Sequence, residues 1–216
     1  MRFGIYPTPF LATNGIGSFS LGSSPASVGV LALGRLISKI VGVSFPVPEP
    51  WQNLQRLRAA EGWIELGLLE EARVELAEIG PELRNGADGL EVQWRLFSEL
   101  GQWDAAFAVA EQAVELHPDS EAGWIHRSYA ARRRPTGGVE FARSLLLEAI
   151  PRFPKSAILY FNLACYSARL GEPEEAWVWL TQSVDLVGWR IVCEMGLKDS
   201  DLESLWPQLL DKAPGK

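Results

Sequence analysis

At 216 residues, 47% hydrophobic and 22% charged, the chain has the size and balance of one or two globular domains with a real core. A formal charge of −7 and an isoelectric point near 5.0 argue against a general nucleic-acid binder, which needs basic residues to neutralise phosphates. Two Cys and two His are too few for a disulfide framework or for a zinc site of four protein ligands, so no metal or cofactor is expected. The same count favours a reducing compartment, and the expected location is the cytoplasm.

Residues 1–50 hold only four charges (Arg2, Arg35, Lys39 and Glu49) among seven Gly, seven Ser and six Pro. Loop formers and helix breakers therefore make up two residues in five, and a compositional boundary falls near residue 50. Only 27–45 is periodic, with Val28, Leu31, Leu36, Ile37, Ile40 and Val41 on one helical face and Arg35, Ser38, Lys39 and Gly42 opposite. A membrane span would set Arg35 and Lys39 near mid-bilayer at roughly 5–7 kcal/mol, which the apolar residues only just offset. A secretory signal is interrupted by Pro7 and Pro9. The expectation for 1–50 is a poorly ordered or loosely docked extension. Membrane or export targeting through 27–45 and an over-early start codon are the competing readings.

From residue 51 the chain repeats. Leu66-Gly67, Leu100-Gly101 and Leu170-Gly171 each stand between two helical patterns. Past each turn an alanine recurs, at Ala72, Ala106, Ala142 and Ala176, with spacings of 34, 36 and 34. The two extra residues fall in the Arg-Arg-Arg-Pro-Thr-Gly-Gly turn at 132–138. Four residues after the alanines come Leu76, Ala110, Leu146 and Leu180, and seven after them Ile79, Ala113, Ala149 and Ser183. Pro118 and Pro154 close two of the units. Small residues at this spacing suit antiparallel helices whose axes approach closely, and the glycines suit left-handed helix ends. A single pair cannot bury its apolar face, so several must stack.

This pattern resembles the tetratricopeptide repeat family over about 135 residues. The segment 157–186 carries the resemblance best, with Ala164 at the usual small position, and 89–118 matches in its Leu-Gly turn, two alanines and closing proline. Two units are looser: Arg127 stands where Leu is usual, and Pro135 where the turn Gly is. The resemblance implies an all-α solenoid of four helical hairpins over 51–186. Residues 187–216 then read as a cap and tail, helical at 189–197 and 201–210, with Asp199 or Ser200 as N-cap of the second piece.

Residues with chemistry are few. His117 precedes Pro118 at a helix end, where it suits the dipole. His126 and Cys165 both fall on first helices and would need hydrogen-bond contact to act as a nucleophile pair, with no motif supplying an oxyanion hole. Cys165 and Cys193 read as packing residues. Glu70-Glu71 and Glu174-Glu175 open second helices, where acids favour the dipole. No phosphate loop, nucleophile elbow or metal spacing is present in the sequence. The nine tryptophans mostly sit at core spacing, with Trp103 and Trp177 expected to be partly exposed.

By position, the resemblance implies a concave groove lined by first helices. Unit one offers Leu57, Arg58, Glu61 and Glu65, and unit two Glu91, Arg95 and Glu99. Unit three offers Ile125, His126, Tyr129, Arg132 and Arg133, and unit four Phe161, Asn162, Cys165 and Arg169. Acid dominates the first half and base the second, so the expected ligand is a peptide or protein with an acidic stretch or a terminal carboxylate over units three and four. The five-residue clamp of heat-shock co-chaperones is missing: its columns hold Leu57, Glu61, Val92, Ala122 and His126, or, one unit on, Glu91, Arg95, His126, Ile158 and Asn162. The expected function is a non-catalytic protein–protein interaction scaffold without nucleic acid. An export or assembly chaperone holding a client is the alternative, and a Cys–His enzyme the third reading.

Overall fold

The computed structural model describes residues 49–212, nearly all within the second of the chain's two compact units, 1–52 and 53–216. The expectations for 1–48, including the 27–45 pattern, lie outside the described residues. Every regular element described is helical. Four hairpins follow one another: α1 (Glu49–Glu65) with α2 (Leu69–Ala77), α4 (Ala87–Glu99) with α5 (Trp103–Leu116), α6 (Glu121–Arg133) with α7 (Val139–Leu147), and α8 (Ala157–Arg169) with α9 (Pro173–Val187). A short α3 (Pro81–Arg84), which the sequence pattern does not announce, separates the first two hairpins. Pro81 opens it and the Gly80 amide donates to Asn53 Oδ1 at 3.2 Å.

The hairpin turns follow from glycine. Gly67, Gly101 and Gly171 have φ of 74°, 67° and 80°, the left-handed region that other residues enter only at a cost. Each closes its helix in the same way. Gly67 N–H donates to Ile64 O and Leu68 N–H to Trp63 O, and the pairs Gly101→Ser98 with Gln102→Phe97 and Gly171→Ala168 with Glu172→Ser167 repeat it. The third turn departs from this, as its two-residue insertion requires. Gly138 N–H reaches back to Ala131 O, and a Cβ on Gly137 would stand 1.7 Å from that same oxygen.

The hairpins then stack through the small-residue ladder. Ala72, Ala106, Ala142 and Ala176 are wholly buried, as are Ala110, Leu146 and Leu180. Each first helix after α1 packs on its own partner and on the second helix of the pair before it: α4 on α5 and α2, α6 on α7 and α5, α8 on α9 and α7. That double contact is what a lone hairpin lacks. Arg127 fits a position that favours Leu by lying 4.9 Å over the Trp124 ring and pairing with Glu148 at 2.6 Å.

Tryptophan burial differs from the expectation. Among the described residues Trp94 alone is buried, while Trp51 is exposed and the other seven are half-buried. Their indoles lie along helix edges, where the ring covers apolar surface and the N–H reaches an oxygen: Trp124 to Pro118 O at 3.0 Å, Trp179 to Glu175 at 3.2 Å, Trp206 to Gly196 O at 2.9 Å.

The segment after α9 folds as α10 (Trp189–Gly196), a 3-10 helix (Ser200–Leu205) and α11 (Trp206–Lys212). Asp199 caps the 3-10 helix by accepting from Asp201 N–H at 2.9 Å. Leu202, Leu205 and Leu209 are wholly buried in one cluster with Phe161, Ala164, Cys165 and Leu180. The 3-10 helix thus lies directly against α8.

Candidate functional site

The first-helix residues expected to line the groove divide into three regions. On α1 and α4, Arg58, Glu65 and Glu99 are exposed and Glu61, Glu91 and Arg95 half-buried. Glu61 feels Arg95, Asp88, Arg58 and Glu65 together, so these side chains share one surface. Burial raises its carboxyl above the ordinary range, with Arg95 opposing. Leu57 is a correction: it is buried with Ile64, Leu76 and Leu96, one position round the helix from the open face.

The middle region is aromatic. Trp94 and His126 stack face to face, with centroids 3.8 Å apart and planes 8° from parallel. His126 is buried, and its Nδ1 lies 3.3 Å from Glu91 Oε2. Burial pushes the imidazole below its ordinary value, with Glu91 partly opposing, so His126 is neutral at pH 7. The expected groove histidine is therefore a packing residue, as is Ile125. Tyr129 is half-buried, edge-on to Trp94 at 5.8 Å, and carries the Arg133 guanidinium 3.4 Å above its ring. Beside this stack a small cleft of about 20 Å³, room for about one water, lies between α4 and α6 against Val109, Ala110 and Ala113 of α5.

The far end is closed by the chain itself. Arg132 holds Asp201 of the cap with both Nη atoms, Nη2–Oδ1 at 2.8 Å, and Arg169 Nε approaches the same carboxylate at 3.6 Å. The Arg132 and Asp201 side chains keep only 20% and 16% of their exposure. The pairing with Asp201 raises the Arg132 guanidinium further above its ordinary value, and it lies 5.7 Å over the Tyr166 ring. Tyr166, pushed up to about 12 by burial, shares a 3.3 Å hydrogen bond with Ser128 beneath.

Several expected groove residues change role for this reason. Phe161 is not an exposed anchor but lies under the cap leucines, leaving Asn162 as the half-buried residue beside it. Arg132 and Arg169, expected to await an external carboxylate, already face an internal one. Cys165 Sγ donates to Asp199 at 3.6 Å, and burial and the two aspartates hold its thiol well above the ordinary value. His126 contacts Glu91 and Trp94, and the Cys165 thiol contacts Asp199, so each member of the expected pair has a partner of its own. The sequence reading saw Asp199 only as a cap and missed Asp201. The available signal was the acidic run Asp199, Asp201 and Glu203 on a segment that must return to a basic helix end.

Among the described residues no cluster of three or more His, Cys, Asp or Glu is placed to hold a metal. None of the described helices is long and apolar enough to cross a membrane. No protein-family model and no curated protein matches the chain. Among solved structures it is similar to a thermophilic tetratricopeptide repeat protein of Thermus thermophilus. The match has a TM-score of 0.55 at 22% identity and covers 76% of this chain and 93% of that one. The fold is therefore of the tetratricopeptide type.

Proposed function

We propose that this chain is a non-catalytic interaction scaffold, taking a partner protein or peptide along the first-helix face of units one to three. Solenoids of this type generally act as binding platforms, and the observation that carries the reading here is the cap. It fills the face of unit four with Leu202, Leu205, Leu209 and Asp201, while Arg58, Glu61 and Arg95 stay open. Tyr129 and Asn162, both half-buried, border the closed region and mark the end of the available surface. Two buried free thiols, Cys165 and Cys193, fit a reducing compartment, and we place the scaffold in the cytoplasm.

The test is recovery of partners on the tagged full-length protein from its native host, identified by mass spectrometry. Glu61→Lys and Arg95→Glu on the open face should each lower recovery of the same partner at least fivefold. Glu71→Lys on the exposed surface of α2 should leave it unchanged. Equal recovery with all three variants would put the binding surface elsewhere.

A further inference from the structure

We infer that the chain pairs with a second copy of itself, antiparallel, along the rim where its first helices end. This goes beyond the partner reading above, whose residues Glu61 and Arg95 lie one helical turn earlier on the same helices. The last residues of α1, α4, α6 and α8 are Glu65, Glu99, Arg133 and Arg169. Their spacings of 34, 34 and 36 match those of the alanine ladder, so they hold the same place in the four hairpins. Along the stack the charges run minus, minus, plus, plus. Turned end for end, the same row reads plus, plus, minus, minus. A two-fold axis between units two and three therefore sets Glu65 against Arg169 of the second copy and Glu99 against its Arg133, and each reverse pair as well. Self-complementarity of this kind is what an isologous interface requires, and an unrelated partner does not call for it.

The placement of the acids is a separate observation. Glu65 and Glu99 stand at helix C-terminal ends, where the dipole already concentrates partial negative charge and a cation is favoured. Neither α1 nor α4 has a basic residue in its last turn. Both carboxylates are exposed, and neither makes an ion pair among the described residues. Within one copy these acids disfavour their own helices, and a cation supplied by a second copy removes that penalty.

The basic half is held in place without being neutralised. The Arg133 guanidinium lies 3.4 Å over the Tyr129 ring and 5.4 Å over Trp103, and gives an N–H to Tyr129 O at 3.3 Å. It meets no carboxylate among the described residues, whereas Arg134 beside it is paired with Asp104 at 2.8 Å. Stacking fixes the guanidinium plane and leaves its remaining donors to accept a carboxylate. Arg169 is 54% exposed and only shares Asp201, which Arg132 already grips with both Nη atoms. Apolar surface lies on the same rim, where Leu66 beside Glu65 is 70% exposed and Leu100 beside Glu99 half-buried. Such an interface is small and largely ionic, so the pairing is weak and salt-sensitive.

The test is sedimentation velocity on the full-length protein at about 5 to 200 μM, in about 50 and about 500 mM salt. At low salt the mass should rise from monomer to dimer with concentration, and high salt should weaken the dimer at least tenfold. Glu99→Arg and Arg133→Glu should each be monomeric by itself, since each sets like charges together on both sides of the axis. Mixed one to one, they should form a heterodimer within threefold of the parent affinity, because each then supplies the charge the other lacks. Glu115→Arg on the exposed side of α5 should dimerise as the parent does. Circular dichroism checks that every variant is folded. Should Arg133→Glu lose helix, Glu65→Arg mixed with Arg169→Glu makes the same cross at the outer pair. A parent that stays monomeric at low salt, a dimer untouched by Glu99→Arg, or folded variants that fail to complement would overturn the pairing. If the pairing fails while Arg95→Glu still costs partner recovery, the scaffold reading stands alone.

Discussion

Replacing Asp201 with Asn removes the anion from the Arg132 clasp while keeping its shape, and is expected to destabilise the protein by about 2–3 kcal/mol. Breaking a fully buried pair costs about 3–5 kcal/mol, because the surviving charge stays desolvated. Here the Arg132 and Asp201 side chains keep 20% and 16% exposure, so part of that penalty is relieved by water. One of the two charge-assisted hydrogen bonds, worth about 1.5–3 kcal/mol, is lost because the amide NH2 cannot accept, while the amide oxygen keeps the other and the aromatic contact with Tyr166 remains. Removing the cation instead should cost less, about 1–2 kcal/mol for Arg132→Gln, since Arg169 stands 3.6 Å from the stranded carboxylate and takes part of the load. For a chain of this size the anion loss corresponds to a melting temperature lower by about 4–12 °C. The assay is a double-mutant cycle by urea unfolding, followed by circular dichroism and by amide exchange across 199–212. A coupling energy below about 0.5 kcal/mol would show the clasp to be an ordinary surface pair and would refute this reasoning.

Three further outcomes follow from the same packing. Removing residues 188–216 should uncover Phe161, Ala164 and Leu180 and cost several kcal/mol, at about 1.5–3 kcal/mol for each of the buried leucines lost; an equally soluble truncation with an unchanged melting temperature would contradict it. Gly137→Ala drives a methyl into the Ala131 carbonyl and should cost about 2–4 kcal/mol, against about 1 kcal/mol for Gly101→Ala, where only the positive φ is strained; denaturant midpoints compare the two directly. His126 makes stability fall on acidification. Its folded pKa lies below the unfolded value of about 6.5, so as pH drops through 6.5 the unfolded chain takes up a proton that the folded one refuses. The slope is at most about 1.4 kcal/mol per pH unit and should vanish in His126→Phe, and a slope that persists there would assign it to other groups.

The helices of the four hairpins, their order and three of the four turns were legible in the sequence because each depends on neighbours in the chain, whereas the short α3 was not. A left-handed helix end requires glycine wherever it occurs, so Gly67, Gly101 and Gly171 mark turns without reference to anything distant. The alanine ladder is equally local, since its period of 34 to 36 reports that every hairpin meets the next in the same way. Periodicity also placed Phe161, Cys165, His126 and Arg132 on first helices. It says which way a residue faces and nothing about what lies opposite. Tertiary structure decided that: Asp201 meets Arg132 across 69 residues, Leu202 and Leu209 cover Phe161, and Trp94 stacks on the imidazole of the neighbouring unit. Burial and charge cancellation depend on pairs of surfaces brought together by folding, and a spacing rule describes only one surface at a time.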